Sequence, residues 1–163
     1  LVMLSGPGPI IFRQTRLGRN QQPFTIYKFR TMVKNAERNG AQWATDNDPR
    51  ITKIGRFLRR VRLDEIPQII NVLRGQMSWI GPRPERPEFV EQLSEKVPHY
   101  NLRHLVKPGL TGWAQVKYRY ASTEEDSATK LMYDLYYVKN ISIILDIKIA
   151  LKTIMTVFSR AGR

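Results

Sequence analysis

Cysteine is absent from this sequence. That excludes disulfides, thiolate metal sites and cysteine nucleophiles, and it suits a reducing compartment. Histidine is scarce. His99 and His104 have no cysteine partners, so zinc is not expected, and each is read as a surface or satisfied core residue. No stretch approaches the ~18 uninterrupted apolar residues of a membrane-spanning helix, and no signal peptide is visible. Neither a Walker A loop nor a G-x-G-x-x-G turn is present, so the common phosphate-cradling loops are excluded. Acidic residues are the other shortage: 14 Asp and Glu stand against 27 Lys and Arg, for a net charge of +13.

What remains is enough for one domain with a core: 163 residues, 42% of them hydrophobic. No internal repeat or low-complexity tract interrupts it. The positive charge is concentrated, with fourteen lysines and arginines against five acids between Arg13 and Arg74. Such a block favours a polyanion (nucleic acid, anionic lipid or a phosphorylated substrate), or it is a solvated basic surface. The three tryptophans are scattered and form no stacking platform for single-stranded nucleic acid.

After the breaker cluster Ser5–Pro9, Ile10–Phe12 and Phe24–Tyr27 read as two short strands, with Gly18-Arg19-Asn20 in the loop between them. Thr31 to Arg38 has the makings of a helix start, and residues 39–49 are loop-like. Thr52 reads as the N-cap of a helix burying Ile54, Phe57, Leu58 and Val61. A second helix is predicted from Glu65 to Arg74. Ile66, Ile69, Ile70 and Leu73 fall at helical spacing, and Gly75 follows as a natural terminator. Pro82 and Pro84 stop regular structure. Pro87 to Lys96 is read as a helix with Phe89, Val90 and Leu93 on one side. Ser122-Thr123-Glu124-Glu125 fits a capping box opening a helix that carries Ala128, Leu131, Met132 and Leu135 on one face. The last segment, Ile141 to Phe158, is apolar but broken by Asp146, Lys148 and Lys152. It is too charged to span a bilayer and suits either core packing or a membrane interface. The expected fold is α+β, a helix-rich single domain with a short β-hairpin, covering residues 1–163 and associated with a membrane surface.

The stretch Arg59-Arg60-Val61-Arg62-Leu63-Asp64-Glu65-Ile66-Pro67 carries the most chemistry. Two adjacent carboxylates follow three arginines and open a helix. A helix N-terminus lowers carboxylate pKa values, so Asp64 is expected to be ionised and able to attack phosphorus. Glu65, expected to face the surface, could hold a divalent cation that neutralises phosphate oxygens. The blander reading makes Asp64 an N-cap and Glu65 a first-turn acid. Strand alternation places Lys28 and Arg30 on one face, as a diphosphate-binding pair or a solvated strand end. Gly81-Pro82-Arg83-Pro84 is a stiff turn presenting one arginine. Lys107-Pro108-Gly109-Leu110-Thr111-Gly112-Trp113 is a loop rich in turn residues.

These stretches, taken together, resemble the bacterial sugar transferases, the monotopic polyprenyl-phosphate hexose-1-phosphate transferases. The likeness runs in order through Gly8–Gln14, Tyr27–Met32, Asp48–Thr52, Gly55–Arg59, Arg62–Gln68, Asn71–Gly75, Gly81–Pro84, Lys107–Val116 and Tyr133–Asn140. The resemblance implies transfer of a sugar-1-phosphate from a UDP-sugar to a polyprenyl (undecaprenyl) phosphate, with release of UMP. Asp64 would form a covalent phosphosugar intermediate and Glu65 would bind Mg²⁺. Lys28, Arg30, Arg62, Arg83 and Asp134 would bind substrate. It also implies an anionic membrane surface as partner, at the cytoplasmic face of the bacterial inner membrane, and no nucleic acid. Such an enzyme would take the first membrane step of exopolysaccharide, capsule or O-antigen synthesis. Family members carry an upstream hydrophobic segment that enters and leaves the same membrane face, expected to end near Leu1–Leu4. Pro84–Val106 and the helix after Ser122 resemble the larger members, which often act on glucose or galactose. The rival reading is a basic module that binds anionic membrane or nucleic acid and has no chemistry.

Overall fold

The computed structural model of the chain describes residues 2–38, 40, 42–45, 48–118 and 124–158. Strands β1 (Ile11–Leu17) and β2 (Pro23–Phe29) form an antiparallel hairpin, in register from Ile11↔Phe29 to Leu17↔Pro23. The turn between them closes with the Gly18 N–H on the Gln22 carbonyl at 2.9 Å. A second, parallel pair joins β3 (Ser78–Ile80) to β4 (Gly109–Thr111). Among the described residues six α-helices flank these pairs: α1 (Lys53–Arg60), α2 (Ile69–Leu73), α3 (Pro87–Lys96), α4 (Trp113–Lys117), α5 (Glu124–Lys139) and α6 (Ile143–Phe158). The architecture is α+β and helix-rich, as expected. Among the described residues no helix is long and apolar enough to cross a membrane.

Three apolar clusters hold the elements together. Phe89, Val90 and Leu93 of α3 pack with Tyr100 and with Leu131 of α5. Trp113 of α4, Tyr137 of α5 and Leu145 and Ile149 of α6 form the second. Phe24 and Ile26 of β2 close on Met77 in the third. Sequence periodicity finds α3 to the residue, with its predicted buried side. Thr52 does cap α1, its hydroxyl accepting the Gly55 N–H at 2.9 Å.

Five expectations change. Lys107–Trp113, expected as a loop, holds strand β4 and the first residue of α4. Thr31 to Arg38 is not a helix: Met32 bridges Ile51, residues 34–38 are turns, and Asn35 takes a left-handed φ of +60° that breaks helical continuation. In α1 only Leu58 of the four predicted residues is fully buried, and Phe57 is exposed. In α5, Leu131 is buried but Met132 is exposed, and the proposed cap at residues 122 and 123 lies outside the described residues. The largest reversal concerns the predicted Glu65–Arg74 helix. It begins as a tight 3-10 segment, Leu63–Gln68, with Pro67 inside, and becomes α-helical only at Ile69. Its apolar Ile66, Ile70 and Leu73 are exposed, while Asp64, Glu65, Gln68 and Asn71 point inward. The apolar stripe was legible, but its direction was not. Asn71 explains the inversion. Its amide donates to the Thr25 carbonyl at 2.7 Å and to Gln76 at 2.9 Å, and its oxygen accepts the Tyr27 N–H at 3.2 Å. The polar face is therefore needed inside, against the hairpin.

Proline and glycine build the remaining support. The Gly81 N–H donates to the Thr111 carbonyl and the Gly109 N–H to the Pro82 carbonyl, both at 2.9 Å. A β-carbon on Gly109 would collide with the Gly81 backbone, so the two loops meet only because both are bare there.

Candidate active site

The site begins where α1 ends. Arg62 takes a left-handed backbone conformation, φ +59°, which turns the chain sharply into the 3-10 segment. Non-glycine residues seldom adopt this region, and such strain collects at functional sites. The turn directs both Asp64 and Glu65 inward, 7% and 8% exposed. The segment packs against β2, which brings Lys28 to Glu65.

Glu65 is the hub. Its Oε1 accepts from Lys28 Nζ at 3.1 Å and from Arg83 Nη2 at 2.6 Å, and Arg62 Nη1 lies 4.0 Å from Oε2. The expectation that Glu65 faces the surface is thus corrected: burial was invisible because its partners come from β2 and from the Gly81–Pro84 turn. Burial pushes the Glu65 carboxyl up, but Arg83 and Lys28 outweigh it and hold it well below the usual carboxylate range. Arg83 is held more firmly protonated by Glu65. Lys28 moves the other way. Burial brings it down to about 8 despite Glu65, with Arg83 adding repulsion.

Asp64 has a different environment. Among the described residues no hydrogen bond or ion pair engages its carboxylate. Burial, followed by the adjacent Glu65, raises its pKa, and Lys28, Arg83 and Arg59 only partly offset this. The sequence reading had the opposite sign, because it assumed an open α-helix N-terminus. The observed 3-10 turn buries the group instead, and Arg62, not Asp64, occupies the cap position, with no side-chain capping bond. Two neighbouring carboxyls are thus pushed apart in pKa, a pattern that separates roles in catalytic pairs.

The sequence candidates divide. Lys28, Arg83, Glu65 and Arg62 converge, with Asp64 beside them. Arg30 does not join. Its Nε donates to the Pro9 carbonyl at 2.9 Å and its Nη2 to Gly6 at 2.7 Å and Val2 at 3.2 Å. Strand alternation does not extend to Arg30, because β2 ends at Phe29. Asp134 also lies apart. It is 2% exposed and ion-paired with Arg103 at 2.7 Å, away from the Glu65 cluster. The reading missed Arg59, whose Nε holds the Thr31 hydroxyl at 2.9 Å while its charge acts on Asp64. Its place one helical turn before the carboxylates was the available signal. Arg103 offered no signal, since nothing near it in sequence is catalytic. His104 is buried, with its pKa lowered to about 4 by desolvation; it is a core histidine, but its Nε2 has no hydrogen-bond partner among the described residues, so it is not the satisfied one expected.

A divalent cation has limited protein donors. Among the described residues no three His, Cys, Asp or Glu side chains gather in a metal-binding group. Glu65 Oε2 and the uncommitted Asp64 carboxylate remain as oxygen donors. Mg²⁺ commonly binds one or two carboxylates and completes its shell with phosphate oxygens and water, so the donor set fits that habit.

The family model for bacterial sugar transferases matches residues 1–160. The chain is 48% identical over 162 residues to a UDP-N-acetylgalactosamine-undecaprenyl-phosphate N-acetylgalactosaminephosphotransferase of Aeromonas hydrophila, covering 99% of this chain and 38% of that protein. It is 46% identical over 159 residues to a UDP-glucose:undecaprenyl-phosphate glucose-1-phosphate transferase of Escherichia coli (strain K12), covering 96% of this chain and 34% of that protein. An exopolysaccharide production protein PSS of Rhizobium leguminosarum bv. phaseoli is 40% identical over 166 residues, 98% of this chain and 83% of that protein. The chain thus spans little more than a third of the first two relatives.

Proposed function

We propose that this chain, which belongs to the bacterial sugar transferase family, moves a sugar-1-phosphate from a UDP-sugar to a polyprenyl phosphate and releases UMP. The observation that carries the reading is the buried Glu65 held between Lys28 and Arg83, with the unengaged Asp64 carboxylate next to it.

The chemistry divides into two displacements. An oxygen of ionised Asp64 attacks the phosphorus that bears the sugar. The bond from that phosphorus to the bridging oxygen breaks, and UMP departs with the electron pair. A phosphate oxygen of the polyprenyl acceptor then attacks the same phosphorus and frees Asp64. Lys28 and Arg83 neutralise the diphosphate oxygens, which makes phosphorus more electrophilic and stabilises the leaving UMP. Arg62 reaches the same region from its half-exposed position. Mg²⁺ bound through Glu65 would add charge neutralisation at the diphosphate. Asp64 must be ionised to act, and the cations around it help the proton leave.

The polyprenyl acceptor makes a membrane surface the working place. The basic surface and the exposed apolar residues of α2 and α6 suit an anionic lipid surface. The cytoplasmic face of the inner membrane is the proposed location. The step opens synthesis of a surface polysaccharide such as exopolysaccharide, capsule or O-antigen. A non-catalytic polyanion-binding module is disfavoured, because it would gain nothing from a carboxylate that occupies Lys28 and Arg83 or from an unengaged acid beside them, whereas phosphoryl transfer uses both.

The test is a trapped adduct. Incubated with a UDP-sugar, Mg²⁺ and no acceptor, the protein should gain the mass of one phosphosugar on the peptide containing Asp64. Asp64→Asn should fold, bind the UDP-sugar and gain nothing. An adduct elsewhere, or substantial turnover by Asp64→Asn, rules the mechanism out.

A further inference from the structure

Arg83 reaches Glu65 from a turn that has few ways to be held. Two of its four residues, Pro82 and Pro84, have no N–H to donate. Apart from the Gly81 N–H, which donates to the Thr111 carbonyl, its position depends on what its carbonyls accept. The Pro82 carbonyl takes the Gly109 N–H at 2.9 Å, and the Glu85 carbonyl just beyond takes the Leu17 N–H at 3.0 Å. The two between them are held by arginine side chains: the Pro84 carbonyl by Arg16 Nη1 at 3.1 Å, and the Arg83 carbonyl by Arg103 Nη2 at 2.9 Å.

Arg103 is itself locked. Its Nε and Nη2 donate to Asp134 Oδ2 at 3.1 and 2.7 Å, and its Nη1 to the Tyr100 hydroxyl at 2.7 Å. All three residues are buried. A buried ion pair is a poor source of stability, since well-packed apolar groups often do as well or better. What this pair supplies is a fixed donor at one carbonyl. That carbonyl belongs to the residue whose side chain reaches Glu65.

We propose that Arg103, locked by Asp134 and Tyr100, is a positioning residue that sets Arg83 against Glu65 through the Arg83 backbone carbonyl. The inference rests on the reading of Arg83 and Glu65 as catalytic-site residues. It reassigns Asp134 from substrate to scaffold: α5 reaches the chemistry through two hydrogen-bonded contacts and touches no substrate. Lysine at position 103 keeps the charge but lacks the planar fork needed to serve Asp134, Tyr100 and the carbonyl together.

The experiment is a double-mutant cycle in the full chain, assayed by UMP release with UDP-sugar, Mg²⁺ and detergent-solubilised polyprenyl phosphate. Arg103→Lys should retain its circular dichroism spectrum and lose about ten- to a hundredfold in rate, the scale of an ångström-level misplacement. Arg83→Lys should also lose rate. In the Arg83→Lys background, Arg103→Lys should cost less than about twofold more, because the lever it acts on is gone. If the two losses multiply instead, Arg103 does not act through Arg83 and the proposal is overturned. If Arg103→Lys fails to fold, Tyr100→Phe, which removes one hydroxyl from the lock, replaces it in the same cycle and is judged by the same two outcomes. Full turnover by Arg83→Lys or by Asp64→Asn would instead sink the underlying reading of the site, whatever Arg103 does.

Discussion

At the scale of single residues, the site depends on two carboxyls and two cations whose ionisation is set by burial and by one another's charge. Asp64 is raised and must lose its proton before it can attack, so the rate should climb with pH along an acid limb displaced upward from that of an ordinary aspartate. Lys28 is charged below about 8 and loses its proton as pH rises through that value, removing one of the two cations on Glu65. The rate should therefore fall along an alkaline limb near pH 8. A kcat/KM profile of Lys28→Arg, which stays protonated, should retain a measurable rate and lose that limb. A limb unmoved by the substitution would assign it to another group. Glu65→Gln tests the hub. It leaves Lys28 and Arg83 without their shared counter-charge, and should cost about 2 kcal/mol of stability, less than the 3–5 of a fully buried pair because Arg83 is a third exposed. Turnover should be lost as well. Thermal unfolding and UMP release measure the two effects, and a variant with wild-type values for both would remove Glu65 from either role. Glu65, whose pKa is depressed, contributes stability that is present above its ordinary value of 4.5 and is lost as pH falls below it toward the folded value.

Among the elements, α2 carries the clearest lesson. Its apolar residues fit a helical stripe, yet the buried side is polar, because Asn71 partners the β2 backbone at Thr25 and Tyr27 and the Gln76 side chain. Asn71→Ala should leave the Tyr27 N–H and the Thr25 carbonyl unpaired and cost about 2–3 kcal/mol. Leu73→Ala, on the exposed side, should change stability by less than about 0.5 kcal/mol. Denaturant unfolding of the two variants checks both. Equal costs would mean that the helix packs by its apolar stripe after all. The Gly81–Gly109 contact makes a second prediction. Gly109→Ala should destabilise by about 3 kcal/mol, because the clash is with backbone and no flexible side chain can yield.

Across the whole molecule, charge and apolar exposure combine. The net charge is +13, and α6 leaves Ile143, Ile144, Ile147, Leu151 and Met155 exposed while Leu145 and Ile149 pack inward. Vesicles with anionic lipid should bind the protein more tightly than neutral ones, and added salt should weaken that preference. Ile144→Glu should reduce vesicle binding without lowering the unfolding midpoint. Equal binding to neutral and anionic vesicles at every salt concentration would remove the electrostatic part, and unchanged binding by Ile144→Glu would remove α6.

The chain's own residues determined a good deal without any fold in view. Turn-forming and alternating residues marked the hairpin. Pro87 and the spacing of Phe89, Val90 and Leu93 marked α3 with its buried side, and Thr52 marked the start of α1. The Asp64–Glu65 pair among arginines, with Lys28 and the stiffly presented Arg83, marked a candidate site, but those residues fitted a capped helix start equally well, and the chemistry came from the family resemblance that the ordered motifs carry. Local patterns report what a short segment can form, but not which side another segment will cover. Only the tertiary structure decided that α2 faces its polar side inward, that Asp64 is raised in pKa, and that Arg30 serves the N-terminal turn. Asp134 could not be placed at all until Arg103, 31 positions earlier, met it. Burial by distant segments and contacts made across the fold decide where each of these groups sits, and a short window of sequence does not show them.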